Sequence, residues 1–158
     1  MLFRSTSSDA REEHVFEARR RHPELNVITM DLDTAGSYPR QRFDLLLHLG
    51  VLYHLADPEA AIREALAAAD HVVLETEVTD GDDPHFTQAR IEAGYDQAFN
   101  NRGSRPTTAF VERVLREAGR PFERITDDRC NHGYHRYDWE GGNTLNADNG
   151  LRRMWFIG

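Results

Sequence analysis

The feature that most restricts the fold of this chain is a run of apolar residues, FDLLLHLG, at positions 43–50. Its length and its lack of strict alternation favour a strand that is covered on both faces, as in a parallel sheet. Asp57 and Pro58 then provide an N-cap and a proline at the first helical position, so we predict a helix over Ala60–Ala69. A second apolar run follows at His71–Glu77. A strand, a helix and a strand at this spacing form a βαβ unit, which predicts an α/β fold with parallel strands.

Flanking segments predict further helices and strands. Asp9 to Glu12 has the pattern of a capping box, which predicts a helix that starts there and ends before Pro23. An amphipathic helix is predicted over Thr107–Ala118, with Gly119 as its left-handed cap. Three shorter strands are predicted at Asn26–Met30, Phe122–Thr126 and Arg152–Ile157.

The segment Thr79–Arg105 is long, polar and rich in Asp, Gly and Asn. Loops of this length in compact domains commonly serve as lids or binding segments. We therefore predict a lid or acceptor-side insertion at 79–105, with a short helix near Gln88–Ala93. The chain length predicts a single domain over residues 1–158.

Charge and composition exclude several classes of partner. The 158 residues include 19 Lys and Arg against 27 Asp and Glu, for a net charge of −8. A protein that binds nucleic acid or an anionic membrane through bulk charge needs a basic face, so we expect neither partner. No apolar run approaches the ~20 residues that span a bilayer. The one cysteine, Cys130, precludes an internal disulfide and is typical of a reducing compartment, which predicts a cytoplasmic protein.

Residues 43–55 read FDLLLHLGVLYHL, and the predicted helix and the strand at His71–Thr76 follow. This series resembles the fourth and fifth strand region of class I S-adenosylmethionine-dependent methyltransferases. Arg11–Asp31 is similar to the second helix and third strand of that family, and Arg105–Gly119 is similar to its late helix. The resemblance implies a Rossmann-like methyltransferase sheet of seven strands, mostly parallel with an antiparallel terminal strand. It also implies S-adenosylmethionine as the cofactor.

One part of the family pattern has no counterpart in this sequence. The family's first strand lies between the second and fourth strands and leads into a glycine-rich turn against the methionine part of the cofactor. No such glycine cluster occurs before Gly36, so we expect a sheet that is N-terminally incomplete. Each buried backbone group without a partner costs ~1–3 kcal/mol, against ~5–15 kcal/mol for the stability of a whole domain. We therefore expect an isolated chain that is marginally stable or prone to aggregation.

The resemblance also implies residues that bind the adenosine part of the cofactor. Asp9 corresponds to an acid that accepts hydrogen bonds from both ribose hydroxyls, although it equally suits a plain N-cap. Asp31 corresponds to an acid that bonds the adenine amino group, and Leu32 would flank the ring. The alternative for Asp31 is a solvated loop acid.

Further candidates lie at and just beyond the end of the apolar run. His48, Leu49 and Gly50 fall where ligands bind in open α/β sheets. Gly50 would let the backbone pass close to the cofactor or serve a strand-end turn, and His48 equally suits a core histidine. Tyr53 and His54 are the catalytic candidates, because either could orient or deprotonate an acceptor. A hydrogen bond at the helix entry is the alternative for His54.

A group of possible metal ligands occurs in the late loop. Cys130, His132 and His135 lie close together in sequence. They lack a fourth partner at a recognised spacing, so we predict no metal site there and interpret them as loop residues.

Two functions from different classes remain open. The first is an S-adenosylmethionine-dependent methyltransferase that acts on a small-molecule or glycan-like acceptor. The second is a non-catalytic methyltransferase-fold remnant or fragment that acts, if at all, as an interaction module, and the absent glycine-rich turn favours it. A third class, another doubly wound nucleotide-binding protein, would need a phosphate-binding loop, and none is visible.

Overall fold

A computed structural model describes residues 4–95, 97–140 and 151–158 of the chain. The helices and strands, in chain order, are β1 (Thr6–Asp9), α1 (Glu12–Arg21), β2 (Asn26–Thr29), β3 (Phe43–Leu49), α2 (Pro58–Ala68), β4 (Ala69–Val78), β5 (Thr87–Ile91), β6 (Arg102–Pro106), α3 (Thr108–Glu117), β7 (Phe122–Arg124) and β8 (Leu151–Ile157). Short 3₁₀ helices lie at Leu52–His54 and Asp128–Cys130. No helix in these ranges is long and apolar enough to cross a bilayer.

The predicted βαβ unit is confirmed by β3, α2 and β4. The two strands pair in parallel, from Phe43 opposite Ala69 to Leu49 opposite Glu75. The intervening helix begins as its sequence predicts, because the Asp57 side chain accepts a hydrogen bond from the Ala60 N–H at 3.0 Å and Pro58 occupies the first turn. An N-cap of this kind satisfies an otherwise unpaired donor at the helix start.

Six of the described strands form a mixed parallel and antiparallel sheet in two pieces, and the other two, β5 and β6, pair as a separate hairpin. One piece holds the parallel pair β1–β2, and the other has the order β3–β4–β8–β7. The last strand, β8, runs antiparallel to both of its neighbours, as the family resemblance implies. In the part of the chain that the structure describes, β1 pairs only with β2 and β3 only with β4, so no strand joins the two pieces.

One face of the larger piece carries the hydrophobic core. Helices α2 and α3 pack on this face, and Trp155 of β8 is fully buried beneath them. The predicted amphipathic pattern of α3 is confirmed, and Gly119 ends the helix with φ +68°. The core side chains that are less than 2% exposed include Leu52, Leu115, Val111, Val114 and Ile157.

The opposite face of β3 is open, so the prediction that residues 43–50 are covered on both faces is wrong. Leu45, Leu47 and Leu49 alternate onto this face and are 50%, 62% and 46% exposed. The register runs from Leu47 through Val73 to Phe156, which places the exposed Phe156 ring on the same face. These side chains are exposed because the described helices α2 and α3 both pack on the other side of the sheet.

Two local predictions are also wrong. The capping box at Asp9–Glu12 does not form, because Asp9 is the last residue of β1 and the N-cap position, Arg11, has no side-chain cap. Gln88–Ala93 is not a helix, because Gln88 to Ile91 belong to β5 and pair antiparallel with β6. Strand pairing overrides local propensity in both places. Residues 141–150 of the predicted late loop lie outside the described residues.

Candidate functional site

A pocket of about 330 Å³ lies where β1, β2 and β3 end. Ligands in open α/β sheets bind at this edge, outside the carboxyl ends of the strands. The predicted residues that line it are Asp9, Asp31, Leu32, Gly50 and His54. The structure therefore brings together side chains that lie up to 45 positions apart in sequence.

The carboxylate of Asp9 stands at the end of β1. One of its oxygens accepts a hydrogen bond from the Arg11 N–H at 2.8 Å, and the other lies 3.3 Å from Nδ1 of His14. The side chain remains 41% exposed. A carboxylate accepts several hydrogen bonds, so this group can still bind hydroxyl donors in the pocket.

The loop after β2 contributes a second carboxylate, Asp31. It accepts hydrogen bonds from the Asp33 N–H at 3.0 Å and from the Thr34 hydroxyl at 3.3 Å, which is the geometry of an Asx turn. Asp33 also lines the pocket, and its carboxylate accepts the Ala56 N–H at 2.8 Å. Asp33 is not among the predicted site residues, although the repeated acid in Asp-Leu-Asp was a signal for it.

Of the three candidates at the end of β3, only Gly50 lines the pocket. Gly50 lines the pocket with φ +69°, a conformation that favours glycine, and its N–H donates to the Glu75 carbonyl at 3.2 Å. Leu49 is absent from the pocket lining and lies on the open face of the sheet. His48 is buried at 3% exposure, and burial lowers the pKa of its imidazole to about 4, so it is neutral at physiological pH.

The catalytic candidates Tyr53 and His54 have different surroundings. His54 lines the pocket, and its Nδ1 lies 2.5 Å from Oε2 of Glu92. Tyr53 does not line the pocket, and its hydroxyl accepts a hydrogen bond from Arg152 at 3.1 Å. The Tyr53 ring also contacts two guanidinium groups, those of Arg105 and Arg152, at 4.7 and 4.8 Å from its centroid.

An ionic network, which we define as Glu75, Glu77, Glu92, Arg105 and Arg152, surrounds these two residues. Arg152 binds Glu75 at 2.9 Å and Glu77 at 3.3 Å, and Arg105 binds Glu77 and also Glu92, the latter at 2.5 Å. Burial works against the charge of Arg152, yet hydrogen bonds to Glu75 and Tyr53 raise its pKa above the usual value. These ion pairs could not be predicted from the sequence, because they join residues as far apart as Glu75 and Arg152, which are 77 positions apart.

In the part of the late loop that the structure describes, the possible metal ligands do not converge. Cys130 is exposed, and His132 and His135 form an isolated backbone bridge. Over the described ranges, no group of three or more His, Cys, Asp or Glu side chains is placed to hold a metal ion.

Comparison with known proteins gives one family match and one curated relative. Residues 2–69 match the model of a family described as a methyltransferase domain. The tRNA U34 carboxymethyltransferase of Alteromonas mediterranea is 34% identical over 64 residues, which cover 39% of this chain and 19% of that protein. The chain thus spans about a fifth of the curated relative that it matches.

Solved structures give the same fold over nearly the whole chain. The N-terminal domain of EvdMO1 with SAH bound has a TM-score of 0.72 at 15% identity, covering 97% of this chain and 63% of that one. The same domain was also solved in the presence of SAH and D-fucose, with a TM-score of 0.69 at 16% identity over 97% of this chain and 64% of that one. The DhpI–SAM–HEP complex has a TM-score of 0.58 at 15% identity, covering 98% of this chain and 68% of that one.

These comparisons confirm the resemblance stated from the sequence. The chain has the α/β fold of class I S-adenosylmethionine-dependent methyltransferases, and its residues 2–69 carry the sequence pattern of the methyltransferase-domain family.

Proposed function

We propose that this chain binds S-adenosylmethionine in the pocket at the ends of β1, β2 and β3 and transfers its methyl group to a small-molecule or glycan-like acceptor. The observation that carries the proposal is the convergence of two carboxylates, Asp9 and Asp31, with the glycine turn at Gly50. They stand at the ends of three separate strands, so the fold and not the local sequence brings them together.

The residues of the pocket suit the chemistry of this cofactor. Asp9 can accept hydrogen bonds from a ribose diol, and Asp31 can accept one from an adenine amino group. Leu32 offers an apolar surface to a purine ring, and an acidic pocket favours a sulfonium cation. The volume of about 330 Å³ lies within the range of about 300–1,000 Å³ that is typical of small-molecule sites.

The protein residues contribute mainly by position. When bound, S-adenosylmethionine supplies an electrophilic methyl group on a sulfonium centre. Transfer is an in-line displacement, so holding the acceptor in line supplies much of the rate. His54 is the side chain that we assign to accept a proton from the acceptor. Tyr53 stays a catalytic candidate through its contact with His54, whose ring centroid lies 4.0 Å away.

The acceptor class draws support from the relatives and from the segment 79–105. One similar domain was solved in the presence of D-fucose. Two residues of the segment, Gln97 and Phe99, line the same pocket as Asp31 and His54. We therefore assign 79–105 to the acceptor side of the site.

A second candidate function, the non-catalytic remnant, is favoured by the two-piece sheet. In the described ranges β1 and β3 each pair on one side only. The described residues before Gly36 contain no glycine, so they offer no glycine-rich turn to a methionine moiety. Such a chain could keep the fold and lose the cofactor.

Isothermal titration calorimetry with S-adenosylmethionine separates these two functions. We expect binding tighter than ~100 μM, or about −5.5 kcal/mol. Asp9→Asn and Asp31→Asn should each weaken binding about 5- to 10-fold, because each replacement weakens a hydrogen bond to the ligand. Asp44→Asn is the matched control, since Asp44 is exposed on β3 and does not line the pocket. No heat and no thermal stabilisation by the cofactor would instead establish the remnant.

A further inference from the structure

Glu92 is a buried carboxylate in the segment 79–105. Its side chain is only 6% exposed, and it follows directly after β5. One oxygen lies 2.5 Å from Nδ1 of His54, and the other accepts a hydrogen bond from Arg105 at 2.5 Å. Buried charges of this kind are paired, and Glu92 is paired with both His54 and Arg105.

We propose that Glu92 is a positioning residue, which fixes His54 in the tautomer that carries its proton on Nδ1 and leaves Nε2 free to act as a general base. This role rests on the proposed methyl transfer. A general base at His54 restricts the acceptor to a class of groups that must lose a proton, such as a hydroxyl.

The charge state of Glu92 determines which ring nitrogen carries the proton. Burial raises the pKa of this carboxyl, but the hydrogen bonds from His54 and Arg105 outweigh burial and lower it overall. An ionised carboxylate has acceptor sites only, so Nδ1 must be the donor in the contact of 2.5 Å. The lone pair of the neutral imidazole therefore lies on Nε2.

This arrangement serves the removal of a proton from an acceptor hydroxyl as its oxygen is methylated. The proton of the acceptor O–H moves to Nε2 of His54, and an oxygen lone pair forms the new O–C bond to the methyl group. The C–S bond breaks, and its electron pair stays on sulfur, which becomes a neutral thioether. The imidazolium is stabilised by the Glu92 carboxylate on its other nitrogen.

Gly103 allows the β5–β6 hairpin to bring Glu92 this close. A Cβ atom at Gly103 would lie 2.5 Å from the Tyr53 carbonyl oxygen and 2.8 Å from the carboxyl carbon of Glu92. Among the described residues, the charged and titratable groups near His54 are Glu92, Tyr53 and Arg105 on the hairpin side, together with those that line the same pocket: Asp9, Arg11, His14, Asp31 and Asp33.

The test is ¹⁵N nuclear magnetic resonance of the histidine side chains in the full chain without cofactor. We expect His54 in the Nδ1–H tautomer near neutral pH, with Nε2 unprotonated. Glu92→Gln should abolish this preference, since an amide can donate as well as accept. A wild-type His54 that is protonated on Nε2, or a tautomer that Glu92→Gln leaves unchanged, overturns the assignment.

The matched control is Glu77→Gln. Glu77 also binds Arg105, but its bonding partners do not include His54 in the described structure. This variant should keep the wild-type tautomer. If Glu92→Gln does not fold, the wild-type tautomer alone still decides the assignment. Because the spectra need no cofactor, the positioning role and the calorimetric test of cofactor binding can fail independently.

Discussion

At the scale of single residues, His48 makes stability depend on pH. Among the described residues neither of its ring nitrogens has a hydrogen-bond partner, and burial lowers its pKa from 6.5 to about 4. The unfolded chain therefore binds a proton at His48 between pH 6.5 and 4 that the folded chain does not bind. Stability is present above pH 6.5 and is lost as the pH falls through this window, by about 2 kcal/mol between pH 7 and pH 5.

His48→Leu should remove this loss and also raise the free energy of unfolding at pH 7 by about 1–2 kcal/mol, because it removes unsatisfied buried polar atoms. Urea denaturation at pH 7 and pH 5 measures both effects. His85→Gln is the control, since His85 is exposed, and it should keep the wild-type difference between the two pH values. The same difference in His48→Leu would show that His48 is not its source.

At the scale of elements, the β5–β6 hairpin connects the segment 79–105 to the side of the pocket on which His54 lies. The Arg105 side chain on β6 reaches the Tyr53 carbonyl at 2.8 Å, and the Ser104 hydroxyl donates to the Leu55 carbonyl at 2.9 Å. These contacts require β6 to lie against the 3₁₀ helix at Leu52–His54. Gly103 makes that approach possible.

Gly103→Ala should therefore destabilise the chain by about 1–3 kcal/mol, the usual cost of overpacking a tight contact. It should also weaken the contact between His54 and Glu92, which the histidine spectra report. Gly133→Ala is the matched control, because a Cβ atom there meets nothing within 4 Å. Equal unfolding midpoints for the two variants would contradict this account of the hairpin.

At the scale of the whole molecule, we expect the open sheet face to promote association between chains. Leu45, Leu47, Leu49 and Phe156 form an exposed apolar surface beside the edge of β3 that pairs with no strand among residues 4–95, 97–140 and 151–158. Exposed apolar patches and open strand edges promote association between chains. We expect the isolated chain to self-associate at micromolar concentrations and to unfold with low stability.

Leu47→Lys should reduce this self-association at little cost in stability, because the side chain is already 62% exposed. Sedimentation velocity over a concentration series measures the effect. Leu25→Lys is the control, since Leu25 is 44% exposed but follows α1, away from the larger piece of the sheet. A wild-type chain that stays monomeric and melts in one cooperative transition would refute the expectation.

The sequence predicted the βαβ unit well because its signals are local. Asp57-Pro58 specifies a helix start, and the apolar runs on either side have strand length. The same reasoning failed at Gln88–Ala93, where pairing with β6 decides the conformation. It also misplaced the start of α1, because the parallel pairing of Asp9 with Thr29 extends the strand through the expected cap.

The candidate site likewise contains residues that the sequence predicted and contacts that only the structure shows. Five of the residues predicted from the sequence line one pocket: Asp9, Asp31, Leu32, Gly50 and His54. The other three, His48, Leu49 and Tyr53, do not line it. The sequence could not indicate Glu92, which lies 38 positions from His54 and contacts it only after the hairpin has folded back. Contacts between residues far apart in sequence depend on how the elements pack.

The amino-acid sequence by itself thus determined the βαβ unit, the helix at α3 and the resemblance to methyltransferases, since each depends on short-range patterns of apolar, capping and glycine residues. The tertiary structure alone decided which face of β3 is buried, which carboxylate holds His54, and that Tyr53 is bound by two arginines. Those outcomes depend on how segments that are distant in sequence pack together, and no local pattern of residues specifies that packing.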